Sequence, residues 1–162
     1  MNPHSIILLL ICLHVANGTP VIAKWLIGNR LDCALDHGLN LADGQRLFGQ
    51  SKTFRGVVLA IAATSVVGSL IGLSWQAGAT IGASAMAGDL MSSFTKRRMK
   101  LAPSSMALGI DQIPESLLPA VLATWFLPLT VWDVLLTTII FFVGELLLSR
   151  ILFKLKIRDR PY

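Results

Sequence analysis

The stretch Gly88-Asp89-Leu90-Met91-Ser92-Ser93-Phe94-Thr95-Lys96-Arg97-Arg98 ends a long run of apolar and small residues with an acid, hydroxyls and three cations. At helical spacing Asp89, Ser92, Ser93 and Lys96 fall at i, i+3, i+4 and i+7, so they share one face. On that face a carboxylate could hold a metal and an ammonium could hold phosphate. Basic residues flank transmembrane helices routinely, but a plain anchor needs neither the acid nor the serines.

Around this tract the chain is apolar. Of 162 residues 54% are hydrophobic and only 14% charged, and mean hydropathy is +0.67. A soluble domain carries about 25% charged residues, so the composition predicts an integral membrane protein. Apolar runs at about 5–27, 57–74, 76–94, 116–131 and 133–153 each approach the ~20 residues that cross a bilayer as a helix. The reading is all-α, a single domain over 1–162 with five transmembrane helices. Asn17-Gly18-Thr19-Pro20 interrupts the first run, which predicts a broken or kinked helix, tolerated at membrane depth where it lines a site.

The cations set the orientation. Arg30, Arg46, Lys52 and Arg55 follow the first run; Lys96, Arg97, Arg98 and Lys100 follow the third; Lys154, Lys156, Arg158 and Arg160 form the tail. The opposite connections, 74–76 and 128–133, carry no Lys or Arg. The positive-inside rule therefore predicts an outside N-terminus, a cytoplasmic C-terminus and two cytoplasmic loops in a cell membrane. A cleaved signal peptide fits poorly, since residues 1–5 have no positive charge and no A-x-A-like site follows. Trp75, Trp125 and Trp132 lie near the expected outer boundary and Trp25 near the inner one. Gly68/Gly72 and Gly78/Gly82 have the spacing that lets helix backbones approach closely.

The net charge of +5 and pI near 9.7 follow from this topology. Aromatics are not interleaved with the basic clusters as nucleic-acid stacking would require, so no nucleic-acid partner is expected; a basic face suits anionic membrane lipids. Cys12 and Cys33 are not expected to form a disulfide. His4, His14 and His37 lack metal-ligand spacing and are read as non-catalytic.

The first loop reads Asp43-Gly44-Gln45-Arg46-Leu47-Phe48-Gly49-Gln50-Ser51-Lys52-Thr53-Phe54-Arg55-Gly56. Glycines, cations and a hydroxyl suit phosphate, yet Lys52-Thr53 comes too late after Gly44 and Gly49 for a P-loop. Attraction to anionic lipid is the alternative. The second loop runs from the basic tract to Ile110-Asp111-Gln112-Ile113-Pro114-Glu115. Asp89 and Asp111 thus stand at the loop ends of consecutive helices, and Mg²⁺ usually binds through one or two carboxylates plus phosphates. Glu115 is accounted for by a helix N-terminus. Asp89 is not, because it lies near a helix C-terminus.

These residues resemble the CDP-archaeol synthase family of integral membrane cytidylyltransferases, related to the phosphatidate cytidylyltransferases. Asn17 to Pro20 is similar to the family's broken first helix. Asp43-Gly44-x-Arg46 with Gly49-x-x-Lys52-Thr53-x-Arg55-Gly56 is similar to its first loop. Gly88-Asp89-Leu90-x-x-Ser93-Phe94-x-Lys96-Arg97-Arg98 followed by Asp111-Gln112 is similar to its signature. The Lys-Asp and Pro-Gly-His-Gly-Gly elements of the phosphatidate enzymes are missing, which points to the archaeol-type branch. Ser104 stands where relatives often carry Gly after Pro.

The resemblance implies Mg²⁺-dependent transfer of CMP from CTP to a lipid phosphate monoester, archaetidic or phosphatidic acid in type, with pyrophosphate released. Two anions must then meet, so catalysis rests on positioning and neutralisation. Asp89 and Asp111 are the expected metal ligands, and Lys52, Arg55, Lys96 and Arg97 the expected phosphate contacts. Asp43, Arg46 and Thr53 are expected to hold nucleotide or close the loop, and Ser93 and Gln112 join them as substrate contacts. CTP, a lipid phosphate and membrane lipids are the expected partners, with a homo-oligomer left open. A small transporter would place its binding groups near the membrane midplane instead, and a non-catalytic lipid-binding protein would leave Asp89 and Asp111 without a purpose.

Overall fold

The computed structural model describes residues 1–28, 30, 32–102 and 105–157; Ser104 and the tail cations Arg158 and Arg160 lie outside them. It contains five helices: α1 (Pro3–Ile27), α2 (Phe54–Leu70), α3 (Trp75–Arg98), α4 (Gln112–Ala123) and α5 (Val131–Lys154). Side-chain caps start four of them. Asn2 accepts from Ser5 N, Thr53 from Gly56 N, Ser74 from Ala77 N, and Thr130 with Asp133 forms a reciprocal capping box.

α1 corrects the expected break. It is helical through Pro20. Thr19 Oγ1 donates to the Val15 carbonyl at 2.6 Å and Asn17 Nδ2 to the Leu13 carbonyl at 3.3 Å, so local hydroxyl and amide groups work on the backbone there. Pro20 then packs on Gly56: a Cβ on that glycine would lie 3.3 Å from Pro20 Cβ.

α4 is also shorter than the apolar run. Its 12 residues rise only about 18 Å, and the chain then tightens into i→i−3 bonds from Thr124, Trp125 and Phe126 before Pro128, which cannot continue a helix. By length and composition α1 and α5 are each able to cross a membrane, and α2 is apolar but shorter.

α2 and α3 cross at their glycines. A Cβ on Gly78 would meet the Thr64 carbonyl at 2.6 Å, and one on Gly82 the Ile61 Cα at 3.1 Å. Gly68 meets Gly78 Cα at 3.1 Å, whereas Gly72 lies in the turn at φ +94 and packs on nothing. The core gathers Leu9, Leu13, Ala16, Ile81, Ala120 and Phe141. The outer face is apolar as well: Leu135, Ile139, Val143, Leu147 and Ile151 form an exposed i, i+4 stripe along α5. Water would not tolerate such a surface cheaply, but hydrocarbon would.

Asn2 N donates to the buried Asp133 at 3.2 Å. The start of α1, the α2–α3 turn and the α4–α5 turn therefore share one end, where Trp75, Trp125 and Trp132 are exposed. Both polar loops lie at the other end.

Candidate active site

The first loop is built around a residue that sequence reasoning passed over. Asp36 is buried, pairs with Arg46, and accepts from the N–H groups of Gly38, Phe48 and Gly49. Burial would push its carboxyl up, but Arg46 and the three N–H donors outweigh that and hold it well below the usual carboxylate range. Two bridges, Ala34 with Thr53 and Asn40 with Arg46, complete the knot. The Asp-x-Gly of residues 36–38 was the available signal, because Asp side chains fold turns onto N–H groups two residues on.

This knot fixes Lys52. Its Nζ lies 2.5 and 2.6 Å from the two carboxylate oxygens of Asp89 on α3. Burial disfavours the ammonium, yet the facing Asp89, Glu115 and Asp111 outweigh it and raise Lys52 above the ordinary lysine value.

The second loop mirrors the arrangement. Lys96 Nζ lies 2.6 Å from Asp111 and donates to the Ser105 carbonyl at 3.2 Å, and Arg97 donates to the Ala102 carbonyl at 2.8 Å. Asp111 also accepts from Ala107 N and Gln112 from Gly109 N, both at 3.0 Å.

A cavity of about 480 Å³ joins the two halves. Lys52, Asp89, Ser93, Lys96, Arg97, Asp111 and Gln112, all expected site residues, line it. Asp43, Arg46, Thr53 and Arg55, expected beside the substrate, do not. Arg46 serves Asp36; Thr53 caps α2; Asp43 pairs with Arg98 at 2.5 Å, which carries the loop onto the end of α3. Arg55 turns to the carbonyls of Gly28 and Arg30 and lies 3.8 Å from Asp32. Ser92 bends back to the Asp89 carbonyl at 2.9 Å.

The cavity also takes in Glu115, read from the sequence only as a helix-start acid, Asn17, expected only as part of a broken helix lining a site, and Glu145, which the sequence reading passed over. Glu115 is 8% exposed and its carboxyl lies beside that of Asp89. A close crossing brings the two together, since a Cβ on Gly88 would collide with the Pro114 backbone. Asn17 on α1 and Glu145 on α5 line the opposite wall with Lys24. Asn17, Asp89 and Glu145 stand ten, nine and nine residues before the ends of their helices, so the cavity floor lies about 14 Å below those ends. An acid within an otherwise apolar helix was the signal for Glu145.

The resemblance implies Mg²⁺, and the carboxylates suit it. Among the described residues no three acidic, His or Cys side chains form a closed cage. Instead Asp89 and Asp111 each face the cavity with a lysine ammonium against them. Such a hard-oxygen site suits an ion that shares its shell with phosphates.

The model of the CDP-archaeol synthase family matches residues 4–80 and 75–162. The chain belongs to this family. The CDP-archaeol synthase of Sulfurisphaera tokodaii is 32% identical over 155 residues, covering 91% of this chain and 84% of the relative. That of Pyrobaculum aerophilum is 31% identical over 154 residues, covering 92% of each. A solved structure of an intramembrane enzyme for archaeal membrane lipids biosynthesis superposes with a TM-score of 0.77 at 27% identity, over 88% of this chain and 91% of that one. The family makes this chain a cytidylyltransferase and a membrane protein.

Proposed function

We propose that this protein transfers CMP from CTP to a lipid phosphate monoester, archaetidic acid in type, forming CDP-archaeol and pyrophosphate at the cytoplasmic side of the membrane. One observation carries the reading: two Lys–Asp pairs, one from each polar loop, meet in a cavity that reaches down between membrane helices. A soluble nucleotide can arrive from the loop end and a lipid from the side.

Asp89 and Asp111 would hold Mg²⁺, which when bound neutralises and aligns phosphate oxygens. Lys52 and Lys96 then leave their carboxylates for phosphate oxygens of CTP, so no charge is stranded during the exchange. Glu115 keeps Asp89 in place. Arg97, already bonded to the loop carbonyl, keeps Lys96 facing the cavity, and Ser93 and Gln112 offer hydroxyl and amide contacts. The lipid phosphate attacks the α-phosphorus in line, a P–O bond to the lipid oxygen forms, and the bond to pyrophosphate breaks. An ionised phosphate needs no general base.

The test uses purified protein with Mg²⁺, α-labelled CTP and a panel of lipid phosphates, followed by extraction of lipid. Label should enter the lipid fraction, most readily with an archaetidic acid, and should vanish on chelation of the metal. No labelled lipid from any acceptor would overturn the proposal.

A further inference from the structure

Of the three cations that close α3, Lys96 and Arg97 line the cavity. Arg98 reaches the first loop instead and grips it at three points. Its Nη1 lies 2.5 Å from Asp43 Oδ1, and its Nη2 donates to the carbonyls of Gln45 at 3.2 Å and Arg46 at 2.7 Å. The guanidinium carbon stands 5.3 Å from the centroid of the Phe94 ring, one turn back on the same helix. A lysine ammonium could not do all of this, because it takes the planar fork to span a carboxylate and two carbonyls with one face on a ring.

What Arg98 holds is the piece of chain that carries Lys52. Arg46, whose carbonyl it takes, pairs by its own side chain with Asp36, and Asp36 accepts from Gly49 N. The Lys52 backbone in turn donates to the Gly49 carbonyl and accepts from Leu35 N. The loop is thus knit into one body from Leu35 to Lys52. Among the described residues, ion pairs fasten that body to α3 at two places, Lys52 on Asp89 and Asp43 on Arg98. Asp89 and Arg98 are nine residues apart on the helix, about 14 Å, so one fastening can open while the other stays made. In the proposed reaction Lys52 gives up Asp89 for a phosphate oxygen, and the grip of Arg98 is then the charged fastening that remains.

We propose that Arg98 is a positioning residue, which keeps Lys52 over the nucleotide phosphates once Lys52 has left Asp89. The inference rests on the proposed reaction for what Lys52 then touches, whereas the double fastening belongs to the empty protein.

The experiment places spin labels at the exposed Leu39 and Thr95 in a Cys33→Ser background. Their separation is measured with and without CTP and Mg²⁺ in wild type, Arg98→Ala, Lys52→Ala and the double variant, and CTP affinity is measured on the same four proteins. Wild type and Lys52→Ala should each keep one narrow distance throughout. Arg98→Ala should be narrow when empty and broad with CTP, and the double variant broad even when empty. Arg98→Ala should weaken CTP binding about tenfold where Lys52 is present and less than about twofold where it is Ala; an arginine with a merely structural role would weaken both alike. Asp43→Asn takes the charge from the loop side of the grip and replaces Arg98→Ala in the same comparison if that variant does not fold. A narrow distance in the empty double variant, unchanged CTP binding in Arg98→Ala, or equal weakening in both Lys52 backgrounds would overturn the proposal. Wild type that binds no CTP would instead refute the reaction, and the empty double variant would still decide the fastening.

Discussion

Asp89 and Asp111 are each paired with a lysine, Lys52 of the first loop and Lys96 in the last turn of α3. Asp89→Asn and Asp111→Asn should each lower turnover by about two orders of magnitude or more, and the double variant should lose little beyond the worse single one. A loss equal to the product of the two single effects would exclude a shared ion. Asp36 makes a separate prediction. Its folded-state pKa is depressed, so its contribution to stability is complete above the unfolded aspartate value of about 3.9 and is lost as pH falls below it. Amide-exchange protection of Gly38, Phe48 and Gly49 should therefore fall selectively below about pH 4, and Asp36→Asn should remove it at neutral pH. The sequence made the cavity face of α3 legible, because helical spacing alone brings Asp89, Ser93 and Lys96 together. It hid Asp36, whose partners other than Gly38 lie 10 to 13 positions away in an irregular loop. Arg55 turns to backbone carbonyls, which a cation beside glycines satisfies as readily as phosphate.

Helix crossings turn these side chains into a site. Gly88 allows α3 to touch the Pro114 backbone, and that contact sets Glu115 against Asp89. Gly88→Ala must push α4 away, since the obstacle is backbone and cannot rotate aside. It should cost about 1–3 kcal/mol of stability and lower turnover more than Gly72→Ser, where no helix approaches; thermal unfolding and labelled-lipid formation check both. The number and order of helices were readable from hydropathy because a bilayer fixes span length. Their ends were not. Pro20 sits inside a continuous helix, while the run at 116–131 stops being helical after Ala123, because apolar composition alone does not report where backbone hydrogen bonding changes.

The molecule as a whole presents an apolar flank, tryptophans at one end and cations at the other, and an acid-lined cavity open toward the cationic end. In a Cys33→Ser background, single cysteines at Leu39 and Met99 should react with impermeant thiol reagents only from the cytoplasm, and one at Trp132 only from outside. Finding Leu39 and Met99 on opposite sides would separate Lys52 from Lys96 and dismantle the site. The cations predict the orientation that this labelling tests, and the convergence of both loops on one cavity was not legible, because it depends on contacts between residues more than 50 positions apart. The central claim, transfer of CMP rather than of a terminal phosphate, is decided by supplying CTP labelled in either the α- or the γ-phosphate together with archaetidic acid and Mg²⁺. The α-label should appear in the lipid and the γ-label in pyrophosphate; γ-label in the lipid, or α-label confined to water-soluble products, would contradict it.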